Sequence, residues 1–375
     1  MAGIYLHIPF CRQACAYCNF HFTTSLRYKD DLVGALLHET GLQQHFLEGA
    51  SVSTIYFGGG TPSLLDVGDC RRLLDRIRQT FPVAADAEIT LEANPDDITA
   101  DKLAGWGEAG INRLSIGIQS FFEEELRWMN RAHNAGQARR CIELSQEAGF
   151  HNLSIDLIYG SPLLSDDMWA QNVSTALGYG VPHLSCYALT VEEKTPLHQQ
   201  IIRHRKEDVD ADKQARQFLQ LMHRLKEGGY EHYEVSNFAR PGFRSRHNSS
   251  YWKGEKYLGL GPSAHSYDGL KRQWNIANNT RYIHSIVQGV LPTEAEVLTP
   301  VQQLNEYIMI ALRTMEGMDL ERIRSSWGTA QAAATEQRLA RYQAAGLLTR
   351  TGSRVQLTEE GMLRADGIAS DLFQE

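Results

Sequence analysis

Ile4-Tyr5-Leu6-His7-Ile8-Pro9-Phe10-Cys11-Arg12-Gln13-Ala14-Cys15-Ala16-Tyr17-Cys18 is an apolar run that ends in three cysteines spaced CxxxCxxC. The apolar part, Ile4 to Phe10, predicts a strand. The cysteines beyond it predict a metal centre at the strand's end. The chain has six cysteines; three crowd into this one segment, and Cys70, Cys141 and Cys186 stand alone. Such clustering in a long chain argues for metal and against disulfides. The isolated three read as small core residues.

Working outward, further short strand-like runs recur at Thr54–Gly58, Glu88–Ala93, Arg113–Gln119, Leu153–Tyr159 and Leu184–Leu189. Amphipathic stretches lie between them, at Tyr28–Leu47, Cys70–Thr80, Ala135–Ala148 and Asp166–Leu177. Strands alternating with helices of this length predict βα units and a parallel sheet. With no dinucleotide fingerprint, six units suit an incomplete parallel (β/α)6 TIM-like barrel, and a doubly wound open sheet is the alternative. Each strand end carries a chemically capable residue: the cysteines, then the Gly58-Gly59-Gly60-Thr61-Pro62 loop, Glu92, Gln119, Asp156 and Tyr187. The βα loops of a parallel barrel converge at the strands' carboxyl ends, so these six positions predict one site.

After about residue 195 the pattern changes. Helices are expected at Asp212–Glu227 and Val301–Thr314, interrupted by a Gly-, Ser- and aromatic-rich stretch from Ser236 to Asp268. The last sixty or so residues read as two helices and a hairpin turning at Thr351-Gly352-Ser353, which is winged-helix-like. The expected division is residues 1–235 for the partial barrel and 236–375 for a mainly helical C-terminal domain. With 375 residues and a net charge of −8, the chain has no general attraction to nucleic acid, so the winged-helix-like end reads as structural or partner-docking. No apolar run approaches the roughly 20 residues that span a bilayer. The start of the chain lacks a charged region and a cleavage site, and a cytoplasmic location is the expectation.

Structural zinc takes four closed ligands, usually as two pairs, and no second cysteine pair follows; His7 or His21 would have to complete such a site. Three thiolates on a [4Fe–4S] cluster instead leave one iron open. That position can accept the amino and carboxylate groups of S-adenosylmethionine (SAM), with its sulfonium beside the cluster. Here the chain resembles the radical SAM superfamily, and within it the oxygen-independent coproporphyrinogen III oxidase-like family. The likeness is carried by Tyr5 to Cys11, Tyr17-Cys18, the Gly58–Pro62 loop, Gln119-Ser120-Phe121 and Ile155-Asp156-Leu157-Ile158-Tyr159-Gly160. It implies that Cys11, Cys15 and Cys18 bind the cluster, that Tyr5 lies by the cluster-bound SAM, and that Tyr17 shields the cluster and touches adenine. It further implies SAM-binding roles for Gly60, Thr61, Glu92, Gln119, Arg131 and Asp156, the last three including a second SAM in the oxidase. From the residues alone, Arg131 and Asp156 equally read as a structural ion pair, and the triple glycine as a tight turn.

Two functions fit the resemblance. One is an enzyme that decarboxylates coproporphyrinogen III by hydrogen abstraction; the other is a haem chaperone of the HemW type. The oxidase pattern continues to a fourth cysteine, CxxxCxxCxC, where this chain has Phe20, and the oxidase carries a long segment before its cysteines. His247-Asn248-Ser249-Ser250-Tyr251-Trp252 matches the HNxxYW motif of the chaperone branch. Histidine and tyrosine can both ligate haem iron, so His247 is the expected haem-binding residue, with His265, His21 and His7 as competitors. The haem chaperone is therefore the first expectation, the oxidase the second, and a radical SAM methyl or alkyl transferase the third. The resemblance further implies haem and acceptor haem proteins as partners, flavodoxin or ferredoxin as electron donor if SAM is cleaved, and room for transient membrane association. A CxxCH haem-attachment motif is absent.

Overall fold

In the computed structural model, which describes residues 1–375, the expected alternation is present. The chain runs through β1 (Ala2–Ile8), α1 (Lys29–Leu42), β2 (Val52–Gly59), α2 (Val67–Thr80), β3 (Val83–Ala93) and α3 (Ala100–Ala109). It continues with β4 (Arg113–Gln119), α4 (Glu123–Trp128), α5 (Ala135–Glu147), β5 (Leu153–Tyr159), α6 (Asp166–Gly178) and β6 (His183–Ala188). These six strands pair in chain order, all in parallel. Residues on both faces of β1, β2, β4 and β5 are buried, which is why these strands read as apolar runs rather than alternating ones. Two of the helices between them start at side-chain caps of standard type. Asn134 forms a reciprocal capping box with Gln137, and Ser165 accepts from Met168 N. Helix α3 was not anticipated, because two interior glycines weaken its pattern; Thr99 caps its start and left-handed Gly110 ends it.

The second half departs further from expectation. It holds α7 (Pro196–Ile202), α8 (Ala211–Glu227), β7 (Glu231–Glu234), β8 (Asn237–Ala239), α9 (Arg246–Lys253) and β9 (Lys256–Leu260). Next come β10 (His265–Tyr267), β11 (Lys271–Asn275), α10 (Asn279–Val287) and β12 (Thr293–Val297). All six of these strands join the first sheet, in the order β12-β11-β10-β9-β1-β2-β3-β4-β5-β6-β8-β7. The sheet is a partial barrel with two open edges. The Ser236–Asp268 stretch is thus no break between helices: it contributes β9, which lies parallel against β1 from Ala2↔Lys256 to Leu6↔Leu260.

The remainder is α11 (Pro300–Leu312), β13 (Met318–Asp319), α12 (Leu320–Trp327), α13 (Thr329–Ala344), β14 (Leu348–Thr351), β15 (Arg354–Leu357), α14 (Glu359–Met362) and α15 (Ala365–Asp371). Its three strands form a separate small sheet, β13-β15-β14, in a winged-helix-like arrangement. Two cores result. One of 57 buried residues extends from Ala2 to Ile286, and one of 18 begins at Leu304. A boundary at 235/236 falls inside the β7–β8 hairpin, whose strands both belong to the main sheet. We propose instead that the division lies between β12 and α11. No helix is long and apolar enough to cross a membrane.

Candidate functional site

The cysteines occupy the loop after β1, and that loop is tied down at several points. Cys11 N donates to Thr23 O and Thr23 N to Pro9 O; Ala16 N donates to Met129 O, and Leu197 N to Ala16 O. Arg12 reaches across to Asp97 at 2.5 Å and Asp96 at 3.5 Å, in the turn after β3. Gln13 and the backbone of Ala14 are held by Asn130, a left-handed residue just past α4. Cys11, Cys15 and Cys18 are part-exposed free thiols, whereas Cys70, Cys141 and Cys186 are buried in the core, as expected. No three or more His, Cys, Asp or Glu side chains are gathered closely enough to share a single metal ion. A [4Fe–4S] cube, whose thiolates bind different irons, fits this donor set better than zinc. Two cysteine sulfurs already face donors: Arg131 Nη1 is 3.1 Å from Cys15 Sγ, and Thr61 Oγ1 is 3.5 Å from Cys11 Sγ. Burial pushes the Cys11 thiol up to about 11 against the bond from Thr61, so its thiolate form calls for nearby positive charge.

The three cysteines line a cavity of about 430 Å³ together with Gly60, Thr61, Glu92, Gln119, Asp156 and Tyr187. All six strand ends singled out from the sequence therefore converge on one space. Arg131 and Tyr17 line it as well. Gly60 is there because a Cβ would lie 2.7–2.9 Å from the Phe10 and Ile8 backbone, so the loop can approach β1 only as glycine. Gly59, at φ +106°, donates its N–H to Glu92 Oε2 at 3.2 Å, and Tyr56 OH donates to Oε1 at 2.8 Å. Burial nevertheless raises the Glu92 carboxyl to about 7, with the neighbouring Asp156 adding to the rise. Asp156 is likewise raised to about 6 by burial, opposed by Arg113. The cavity thus holds two carboxyls whose ionisation a bound cation would favour. Gln119 sits at φ +65°, where the β4–β5 register shifts, a strained conformation for a residue with a side chain. Arg131 donates to Asn94 Oδ1 (2.7 Å) and to Gly117 O (2.9 Å), while its buried Nε has no partner.

Two expected residues lie elsewhere. Tyr5 does not line the cysteine cavity; its ring packs on Tyr56 and His247, its hydroxyl is 3.2 Å from His7 Nδ1, and it borders a second cleft. His247 is 1% exposed, with Nδ1 2.8 Å from Thr54 Oγ1 and Nε2 2.9 Å from Tyr251 OH. Both ring nitrogens are engaged within the fold, and through them His247 braces α9 against β2 and fixes the Tyr251 ring. Sequence reading missed the residues that seat the site: Arg12, Asn94, Asp97 and Asn130. The only advance signal was Asn94-Pro95 and its acidic neighbours, placed directly after the Glu92 strand.

Residues 5–176 match the Radical SAM superfamily, and residues 298–364 match the HemN C-terminal domain. The curated "Heme chaperone HemW" of Mycobacterium tuberculosis is 36% identical, covering 99% of this chain and 94% of that protein. Those of Escherichia coli K12 (34%; 96% and 95%) and Bacillus subtilis 168 (32%; 97% and 97%) are similar over comparable spans. Among solved structures, coproporphyrinogen III oxidase (HemN) from Escherichia coli, described as a radical SAM enzyme, superimposes with a TM-score of 0.86 at 25% identity, covering 100% of this chain and 90% of that one. These similarities run over almost the whole of this chain and of its relatives, and the chain belongs to the radical SAM superfamily and, within it, to the HemW haem-chaperone family.

Proposed function

We propose that this protein is a haem chaperone that binds haem and passes it to acceptor haem proteins while carrying SAM on a [4Fe–4S] cluster. The observation that carries this reading is the junction of two cavities at Phe20. This residue stands where the oxidase pattern has a fourth cysteine, is 68% exposed, and borders both the cysteine cavity and an adjoining aromatic cleft of about 750 Å³. A large aromatic-lined space open beside a SAM-type pocket suits a flat apolar cargo.

In this reading Cys11, Cys15 and Cys18 hold the cluster, and when bound and reduced the cluster supplies an electron to the SAM sulfonium. The Gly60 backbone and Thr61 offer hydrogen-bonding groups at close approach, and the Glu92 carboxylate balances the ammonium of the methionine moiety. Tyr17 covers the cysteine loop from the cavity side. Gln119, Arg131 and Asp156 line the same cavity and orient the rest of SAM, with Arg131 also placing positive charge on Cys15. Flavodoxin or ferredoxin would supply electrons, in a cytoplasmic setting with transient membrane contact during delivery.

The test is direct. Anaerobically purified, cluster-reconstituted protein is titrated with haem, and separately given coproporphyrinogen III, SAM and a strong reductant. Stoichiometric haem binding, slow release of 5′-deoxyadenosine and no protoporphyrinogen are expected. Turnover to protoporphyrinogen would make the protein an oxidase, the reading that the HemN-like fold favours second.

A further inference from the structure

A site for haem has to supply flat apolar faces, an accessible iron ligand and cations for the propionates, and the 750 Å³ cleft supplies all three; we infer that haem lies there with His265 as its axial ligand. This rests on the haem-chaperone reading and adds the location and the ligand. The cleft runs between the sheet face carrying Tyr257 and Tyr267 and the C-terminal unit carrying Tyr307 and Trp327, whose rings stack at 5.4 Å and 22°. Its volume lies within the range of about 300–1,000 Å³ usual for small-molecule sites.

Four histidines stand in or beside it, and three are already engaged. His247 is buried with both nitrogens bonded. His7 is bonded through Nδ1 to Tyr5 OH and through Nε2 to His21 O. His21 is held through Nε2 by Asn279 Oδ1 at 2.7 Å. His265 is exposed and makes no side-chain hydrogen bond; its ring lies 6.1 Å from that of Trp274. The backbone is shaped to put it there. A Cβ on Gly259 would lie 2.1 Å from His265 O, and Gly261 (φ +106°) and Ser263 (φ +64°) turn the chain sharply between β9 and β10. Partial burial and the Arg272 guanidinium lower the His265 pKa, which keeps the imidazole neutral, the form that binds iron.

The charges facing the cleft also sort by availability. Arg272 is paired with Glu306 and Glu296. Glu255 faces the same space. Arg322 is exposed, has no carboxylate within 4.0 Å, and lies 4.4 Å over the Tyr307 ring. A guanidinium free of its own partner and fixed on an aromatic face is suited to a propionate.

The experiment is a ferric haem titration of the full-length, cluster-reconstituted protein, read by Soret difference absorbance and haem EPR. Wild type is expected to give a histidine-ligated spectrum. His265→Ala should weaken binding about tenfold or more and move the Soret band, whereas His265→Tyr should retain haem with a high-spin phenolate signature. Arg322→Glu should weaken binding several-fold without moving the band. His265→Ala and His265→Tyr spectra and affinities indistinguishable from wild type would overturn the ligand assignment and leave the chaperone reading standing. No haem binding by wild type would remove both.

Discussion

Glu92 shows how a single residue records the ligand its cavity is built for. Tyr56 OH and Gly59 N–H both favour its carboxylate, yet burial wins and holds it near 7 in place of its ordinary 4.5. The folded, ligand-free chain therefore binds this proton more tightly than the unfolded chain does. The stability it contributes is complete below about pH 4.5 and is lost as the pH rises through 7. Glu92→Gln has no proton to lose. In cluster-free protein the variant should gain on wild type between pH 5 and pH 8, by at most about 3 kcal/mol and less where solvent reaches the cavity mouth. Melting temperatures of both proteins across that range measure it; parallel curves would mean the carboxyl is ionised throughout. In SAM-binding assays the same variant should be the weaker binder, because the ammonium loses its counter-charge.

At the scale of elements, the cysteine loop has no helix and only one isolated bridge, Phe10 to Thr23, and depends on what it is tied to. Arg12 is one of these ties, joining the loop to Asp97, which is 3% exposed and also accepts from Ser63 Oγ. Arg12→Ala leaves that carboxylate with fewer partners at a cost of about 1–3 kcal/mol, small against the main core. The fold should survive with a slightly lower melting temperature while the iron–sulfur absorbance decays faster under chelator. A variant that melts earlier but loses iron at the wild-type rate would show that the loop is held by its backbone bonds alone. The parallel strands were legible in the sequence because burial on both faces makes them apolar runs, and β4 and β5 fall at the expected residues. Strands β7 to β12 were not. They are three to five residues long, part-polar, and recruited by pairing with edges already formed, a tertiary effect that local pattern does not carry. The same limit applies to the site. The cavity-lining residues were legible from their places at strand ends, but the surroundings of His247 were not, because its motif says nothing about Thr54, 193 residues away, which lies against its Nδ1.

For the whole molecule, the two cavities depend on the C-terminal unit to different degrees. Every residue lining the cysteine cavity lies between Cys11 and Glu192, on the six parallel strands and the connections that follow them. The aromatic cleft takes one wall from α11 and α12. The C-terminal unit has its own core and meets the main sheet through a few backbone bonds, such as Val235 N to Arg313 O and Met315 N to Tyr233 O. Units that each have a core of their own behave as separable. A chain ending at Leu298 should therefore fold cooperatively, though at a lower melting temperature, because β7 and α9 lose their cover. It should bind iron–sulfur cluster and SAM like the full chain, and its haem affinity should fall at least about tenfold with the loss of Tyr307, Arg322 and Trp327. Cluster content by iron and sulfide analysis, SAM binding by calorimetry and haem binding by Soret titration on the same preparation separate the outcomes. Haem affinity retained alongside the cluster would place the cargo within the main sheet, nearer the cysteines, and would make the second cleft a seam between units rather than a seat.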